Sequence, residues 1–166
     1  MITVESTVHI DRPGDEVFAF VADQTNAPTW QQGLHEVRRL TNLPIGVGTE
    51  HVFVRCFAGR RVESRNRFTR YEPGRFVQFE IPDGWVRGTA SYIVEPDGAA
   101  RCRLTCRMDF QISGPAALAS PLLARVLVKD SRRDEAALKA LLEAGNSSRT
   151  EEWSRSTTNP GQSDAW

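Results

Sequence analysis

The sequence predicts an α+β fold: a curved antiparallel β-sheet wrapped around one long C-terminal helix, with two short helices after the first strand. Three observations carry that prediction. Residues 2–10 alternate apolar and polar side chains, the period of a half-buried strand. From Leu34 to residue 112 the pattern stays near a period of two and is cut by tight Pro/Gly turns, which join antiparallel neighbours. Residues 121–145 then form one amphipathic helical segment. A helix that follows a strand meander must cover the sheet, because neither layer buries its apolar side alone. At roughly 10–12 Å across, one helix leaves part of a broad concave sheet unfilled, so a container is expected.

In the first strand Val4, Ser6, Val8 and Ile10 point one way and Thr3, Glu5, Thr7 and His9 the other. Asp11-Arg12-Pro13 reads as a helix start, with Pro13 near the first turn and Asp15 and Glu16 at the positive end of the dipole. Val17, Phe18, Phe20 and Val21 supply its apolar face, and a second short helix or turn centres on Ala27-Pro28-Thr29-Trp30. Further strands are expected at 35–41, 49–57, 60–71, 75–81, 85–95 and 100–112. Gly46-Val47-Gly48, Ala58-Gly59, Glu72-Pro73-Gly74, Pro82-Asp83-Gly84 and Pro96-Asp97-Gly98 punctuate them. In the last strand Cys102, Leu104, Cys106, Met108 and Phe110 face the core. Ser120-Pro121 opens the long helix, Leu123, Leu127, Leu138, Leu141 and Leu142 form its stripe, and Gly145-Asn146 is the expected stop. Residues 146–166 lack periodicity and read as a disordered tail, which leaves 1–145 as one domain.

A chain of 166 residues is long enough for a real core. Its 21 Lys+Arg balance 21 Asp+Glu, so no overall field draws nucleic acid or an anionic membrane. The arginines in 55–75 alternate with acids, as on a solvated sheet face. No apolar run reaches transmembrane length and no signal peptide precedes the first strand, so the expectation is a cytoplasmic protein without stable membrane insertion. Cys56, Cys102 and Cys106 fall in strand-like runs and read as small reduced core residues. Cys102 and Cys106 share a face about 13 Å apart, too far for a disulfide. His9, His35 and His51 show no metal-ligand spacing with them.

The stretches Val4-Glu5-Ser6-Thr7-Val8-His9-Ile10-Asp11-Arg12-Pro13 with Glu16-Val17-Phe18, then Trp30, Gly46-Val47-Gly48-Thr49, Tyr71-Glu72-Pro73-Gly74-Arg75 and Leu138-Lys139-Ala140-Leu141-Leu142-Glu143 stand in that order along the chain. Together they resemble the START/polyketide-cyclase (SRPBCC) superfamily, whose arrangement is the helix-grip fold. The resemblance covers about residues 2–145. It implies a deep cavity between helix and sheet for an apolar or aromatic small molecule, with no metal or organic cofactor required. These patterns mark architecture, and no catalytic residue carries over from them.

Candidate site residues come from the strand pattern. If Ala58-Gly59 is a two-residue hairpin turn, Phe57 opposes Arg60 and Phe53 opposes Ser64. His51, Phe53, Arg55, Phe57, Val62, Ser64, Asn66 and Phe68 then share one face, aromatic with a few polar groups, as ligand pockets are. A turn one residue longer flips the register and sends His51 and Arg55 to solvent. Trp30 and Trp85 stand where a cavity mouth is expected, or in plain core. Tyr92 brings a hydroxyl to a strand. Leu127 and Ser131 lie on the helix stripe, and the small Ser131 leaves room beneath the helix, unless 129–135 is simply a solvated run of ion pairs.

The first expectation is a binding module for a small hydrophobic molecule, its oligomeric state left open. The alternative is an aromatase/cyclase- or dehydratase-like enzyme in which Arg55, His51 and Tyr92 hold an enolate or donate a proton. A third is a protein-interaction domain resembling the Hsp90-activator group, with a collapsed cavity. Convergence separates the first two, since an enzyme needs its titratable groups aimed at one spot.

Overall fold

A computed structural model describes residues 1–57, 60–84, 86–113 and 120–157. Seven strands, each antiparallel to its neighbours, form one unclosed sheet in the order β1-β7-β6-β5-β4-β3-β2. The strands are β1 (Ile2–Ile10), β2 (Leu34–Arg39), β3 (Glu50–Phe57), β4 (Arg60–Glu72), β5 (Phe76–Ile81), β6 (Val86–Pro96) and β7 (Cys102–Ile112). Helix α1 (Gly14–Ala22) and a 3-10 turn (Gln24–Thr29) follow β1, and helix α2 (Ser120–Thr157) closes the order. This is the helix-grip arrangement expected of the sequence.

Local chemistry sets the helical pair. Pro13 occupies the N-cap of α1, Asp15 and Glu16 lie in its first turn, and Val17, Phe18, Val21 and Ala22 are buried. Asp23 ends α1 and accepts a hydrogen bond from the Thr25 backbone N–H at 3.1 Å, which starts the 3-10 turn. Trp30 caps that turn and is itself buried.

Alternation holds through the strands. Val4 and Ile10 of β1, and Cys102, Leu104, Cys106 and Phe110 of β7, are buried on the inner face. In β4 the period breaks, because the register shifts between Phe68 and Arg70. One extra residue there lets Phe68 and Tyr71 both point inward, with ring centroids 6.3 Å apart. The outer face carries cross-strand ion pairs such as Arg38–Glu63, Arg67–Glu80 and Arg103–Glu95, each worth little on an exposed surface. The main core runs from α1 through Phe68, Val77, Phe79, Tyr92, Val94 and Leu104 to Leu138 of α2.

Three expectations change. Cys56 is exposed while Cys102 and Cys106 are buried, because Cys56 sits on the face of β3 that looks outward near its end. Leu141 is 42% exposed. The face that α2 turns to β1 runs instead through Ser131, Glu135 and Leu138 to the half-buried Leu142, a progression that leaves position 141 at the side. Helix α2 does not stop at Gly145-Asn146 but continues to Thr157. Gly145 does not take the left-handed conformation that would end it. Finally, Trp85 and the Leu123 side chain lie outside the described residues.

Candidate functional site

The β3–β4 pairing sets Phe57 opposite Arg60 and Phe53 opposite Ser64, the two-residue register. His51 therefore faces Asn66 directly, on the same side as Phe53 and Phe68. Rings line this inner face in sequence. His51 lies 5.3 Å from Phe68, Phe68 6.1 Å from Phe79, Phe79 6.0 Å from Tyr92, and Tyr92 6.1 Å from Trp30. Phe53 joins the row 6.3 Å from Phe79. The spacing is that of offset and edge-to-face aromatic pairs.

At one end of the row, polar atoms are buried without hydrogen-bond partners among the described residues. They are both ring nitrogens of His51 and Asn66 Oδ1; His51 is 0% exposed and Asn66 3%. At the other end, Trp30 Nε1 is in the same condition. Burial holds the His51 pKa below its ordinary 6.5, opposed by a hydrogen-bonding approach of the Asn66 side chain across the strands and by the Asp23 carboxylate. The imidazole is thus neutral, with one donor and one acceptor to offer. Leaving such groups unpaired costs about 1–3 kcal/mol each, so this cluster needs an explanation.

A second polar group gathers beside Tyr92. Arg55 Nη2 donates to Gln31 Oε1 at 3.1 Å, and Gln31 Nε2 donates to Tyr92 Oη at 3.1 Å. Asp134 of α2 accepts the Gln32 backbone N–H at 3.0 Å. Burial drives the Tyr92 pKa far above the ordinary phenol value, with Cys106 adding to the rise, so the phenol keeps its proton. Desolvation lowers the Arg55 pKa, yet arginine remains a cation. The residue keeps solvent access along part of its side chain, with its guanidinium 5.9 Å from the Phe53 ring.

A third group joins helix to sheet. Ser6 donates to Glu135 and lies 2.7 Å from Ser131 Oγ. With its one proton given to Glu135, Ser6 accepts from Ser131. Glu135 is 5% exposed; burial raises its pKa, opposed by its bonds to Ser6 and Cys106. Burial also pushes the Cys106 thiol well up, which makes it an inert thiol.

Seven of the ten sequence-derived candidates lie on or beside the aromatic row, namely Trp30, His51, Phe53, Arg55, Asn66, Phe68 and Tyr92, while Ser131 instead meets Ser6 of β1. Leu127 is half-buried one turn before Ser131, and Trp85 has no described position. Val62, expected on the same face, is 36% exposed near the hairpin end. Sequence reasoning missed Gln31, Asp134, Glu135 and Phe79. The available signal for Glu135 was Ser6, a polar residue on an otherwise apolar strand face. A separate depression of about 470 Å³ lies near the ends of β5, β6 and β7, beside Glu80, Arg87 and Asp109, and contains none of the candidates.

Solved structures share this architecture. TTHA0849 from Thermus thermophilus superposes with a TM-score of 0.73 at 15% identity, covering 86% of this chain and 98% of that one. The Zhui aromatase/cyclase from Streptomyces gives 0.72 at 18% identity, covering 85% and 93%. A START superfamily protein from Mycobacterium smegmatis gives 0.60 at 11% identity, covering 82% and 99%. At such identities the likeness is one of fold. No curated protein sequence matches the chain. The family level is reached through the sequence itself: residues 1–143, from β1 to the last turn of α2 that bonds the β1 end, match polyketide cyclase/dehydrase and lipid transport proteins, and the chain belongs to that family.

Proposed function

We propose that this domain binds a small apolar or aromatic molecule between the concave sheet face, the 3-10 turn and α2. One observation carries the reading: polar atoms of His51, Asn66 and Trp30 are buried along a row of aromatic rings with no described protein partner. Native interiors pair such atoms, and a bound molecule with polar edges would pair these. Membership of a family of ligand-handling proteins supports the same reading. Native mass spectrometry of the full chain, with thermal shift against a panel of aromatic and fatty compounds, tests it. The expected result is a noncovalent adduct and a raised melting temperature, since ligand at 100 Kd stabilises by about 2.7 kcal/mol. A clean apo mass with no shift across the panel would sink it.

A second reading, an aromatase/cyclase- or dehydratase-like enzyme, draws support from the Arg55–Gln31–Tyr92 hydrogen-bond chain beside Asp134. There Arg55 would hold a developing enolate and Tyr92 would donate a hydrogen bond. Against it, Phe68 and Phe79 stand between His51 and Tyr92, so the three groups do not meet at one reacting atom. Binding is the better-supported function.

A further inference from the structure

Helix α2 is held to the sheet unevenly along its length. From Leu138 onward it is pinned. Leu138 is fully buried, Lys139 Nζ donates to His9 O at 2.7 Å, and Glu143 accepts the Asp11 backbone N–H at 2.9 Å. Residues 124–130 are half-buried or exposed, and none is buried. Between these two stretches stands one turn, residues 131–135. There Ser131 and Glu135 are buried against Ser6 of β1, and Asp134 accepts the Gln32 backbone N–H. That turn fastens the arm of the helix that precedes it.

At the centre of the fastening is a carboxyl. Glu135 is bonded to Ser6 of β1 and to Cys106 of β7. The other groups around it supply no cation in contact. Lys139, one turn on, is engaged by Glu143 and His9. Arg132 is exposed, and its pull on Glu135 is opposed by Asp134. From β1, Glu5 meets Arg107 on the other face of the sheet, and His9 alternates onto that face too. From β7 and β6 come the Cys106 thiol and, beside it, the Tyr92 phenol, both kept protonated by burial. An ionised carboxylate presents about four acceptor sites. Here one hydroxyl and one weak thiol donor meet it, so the charge is costly to keep dry. Glu135 also shares the buried side of α2 with Ser131 and Leu138, and it does not reach water while that turn is seated.

We infer that Glu135 is a pH-operated latch: protonated, it seats the arm of α2 on β1, and on ionising it frees the arm and uncovers Cys106. The pinned turns from Leu138 onward form the pivot. Little apolar surface is lost, since residues 124–130 bury little, so the step is a local opening distinct from global unfolding. Burial raises the Glu135 pKa above 4.5, so the seated form holds the proton more tightly than an exposed carboxyl does. Opening therefore rises with pH above 4.5, by up to about tenfold per pH unit, until the seated form ionises as well. The latch concerns the helix alone and is independent of the ligand-binding reading.

Thiol labelling of the full chain with dithiodipyridine, read by peptide mass spectrometry, tests it. Cys56→Ser removes the exposed thiol. Cys102 is the internal reference. It is buried at the start of α1, where a Cβ on Gly14 would stand 3.6 Å from its own Cβ, and α2 does not cover it. The ratio of Cys106 to Cys102 labelling should rise roughly tenfold or more between about pH 5 and pH 8. In Glu135→Gln, whose amide stays neutral, it should change by about twofold or less. Ser6→Ala removes the partner of the latch and should raise Cys106 labelling several-fold at the acid end without moving Cys102. A ratio that stays flat with pH overturns the inference, because ionisation then leaves the arm seated. So does a rise that persists in Glu135→Gln, which assigns it to another group. Should Glu135→Gln not fold, the parent ratio and Ser6→Ala decide, and an unchanged acid-end rate in Ser6→Ala overturns the latch.

Discussion

His51 and Glu135 are buried titratable side chains whose pKa values move in opposite directions, with opposite consequences for stability. The folded-state pKa of His51 lies below 6.5, so as pH falls the unfolded chain takes the proton first. Stability is lost as pH falls from 6.5 toward the depressed value. The pKa of Glu135 lies above 4.5. Its contribution is full below 4.5 and is lost as pH rises through the raised folded value. Urea midpoints measured across pH 4 to 8 should show the acid-side loss reduced in His51→Phe and the loss above 4.5 reduced in Glu135→Gln. His51→Phe should also gain about 1 kcal/mol at neutral pH by removing an unpaired buried group. Profiles that run parallel to the parent would refute both assignments. His51 was legible from strand alternation combined with the hairpin register. Glu135 was not, because Lys129-Asp130-Ser131-Arg132-Arg133-Asp134-Glu135 reads as a solvated charge run until Ser6 is packed against it.

At the scale of elements, close backbone approach and polar anchoring act beside apolar packing. Gly88 in β6 has φ +155°, and a Cβ there would stand 2.0 Å from the Asp109 carbonyl oxygen and 2.9 Å from Phe110 Cα. Both atoms belong to the backbone of β7, which cannot yield as a flexible side chain does. Gly88→Ala should therefore destabilise by roughly 1–3 kcal/mol; a urea midpoint indistinguishable from the parent would refute the close approach. Helix α2 is held by hydrogen bonds as well as by the packing of Leu138 and Leu142. Lys139 Nζ donates to His9 O at 2.7 Å, the Asp11 backbone N–H donates to Glu143 at 2.9 Å, and Asp134 holds Gln32. A leucine stripe predicted the helix and the layer it covers. It did not predict these anchors, since its spacing placed Leu141 inward where the packed face instead carries Ser131 and Glu135.

The whole molecule is an open sheet with β1 and β2 at its edges, and α2 packs along β1. Among the described residues no helix is long and apolar enough to cross a membrane. The family match ends at residue 143, beside the Glu143 bond to Asp11. We propose that 1–145 is the folding unit. A chain ending at Asn146 should then keep its thermal midpoint within about 0.5 kcal/mol equivalent, the range of substitutions that touch no core feature. A large drop would show that the later turns of α2 support the sheet.

The antiparallel pairing of consecutive strands, the long final helix and the shared face of His51, Phe53, Asn66 and Phe68 follow from periodicity and turn chemistry, which act between residues near in sequence, whereas the pairing of β1 with β7 does not. The burial of Glu135, the inward turn of both Phe68 and Tyr71, and the meeting of Gln31, Tyr92 and Asp134 depended on tertiary structure. Each brings together groups from distant segments, where polarity alone does not say whether a side chain meets water or protein. Only the packed fold decides which polar atoms are left without partners.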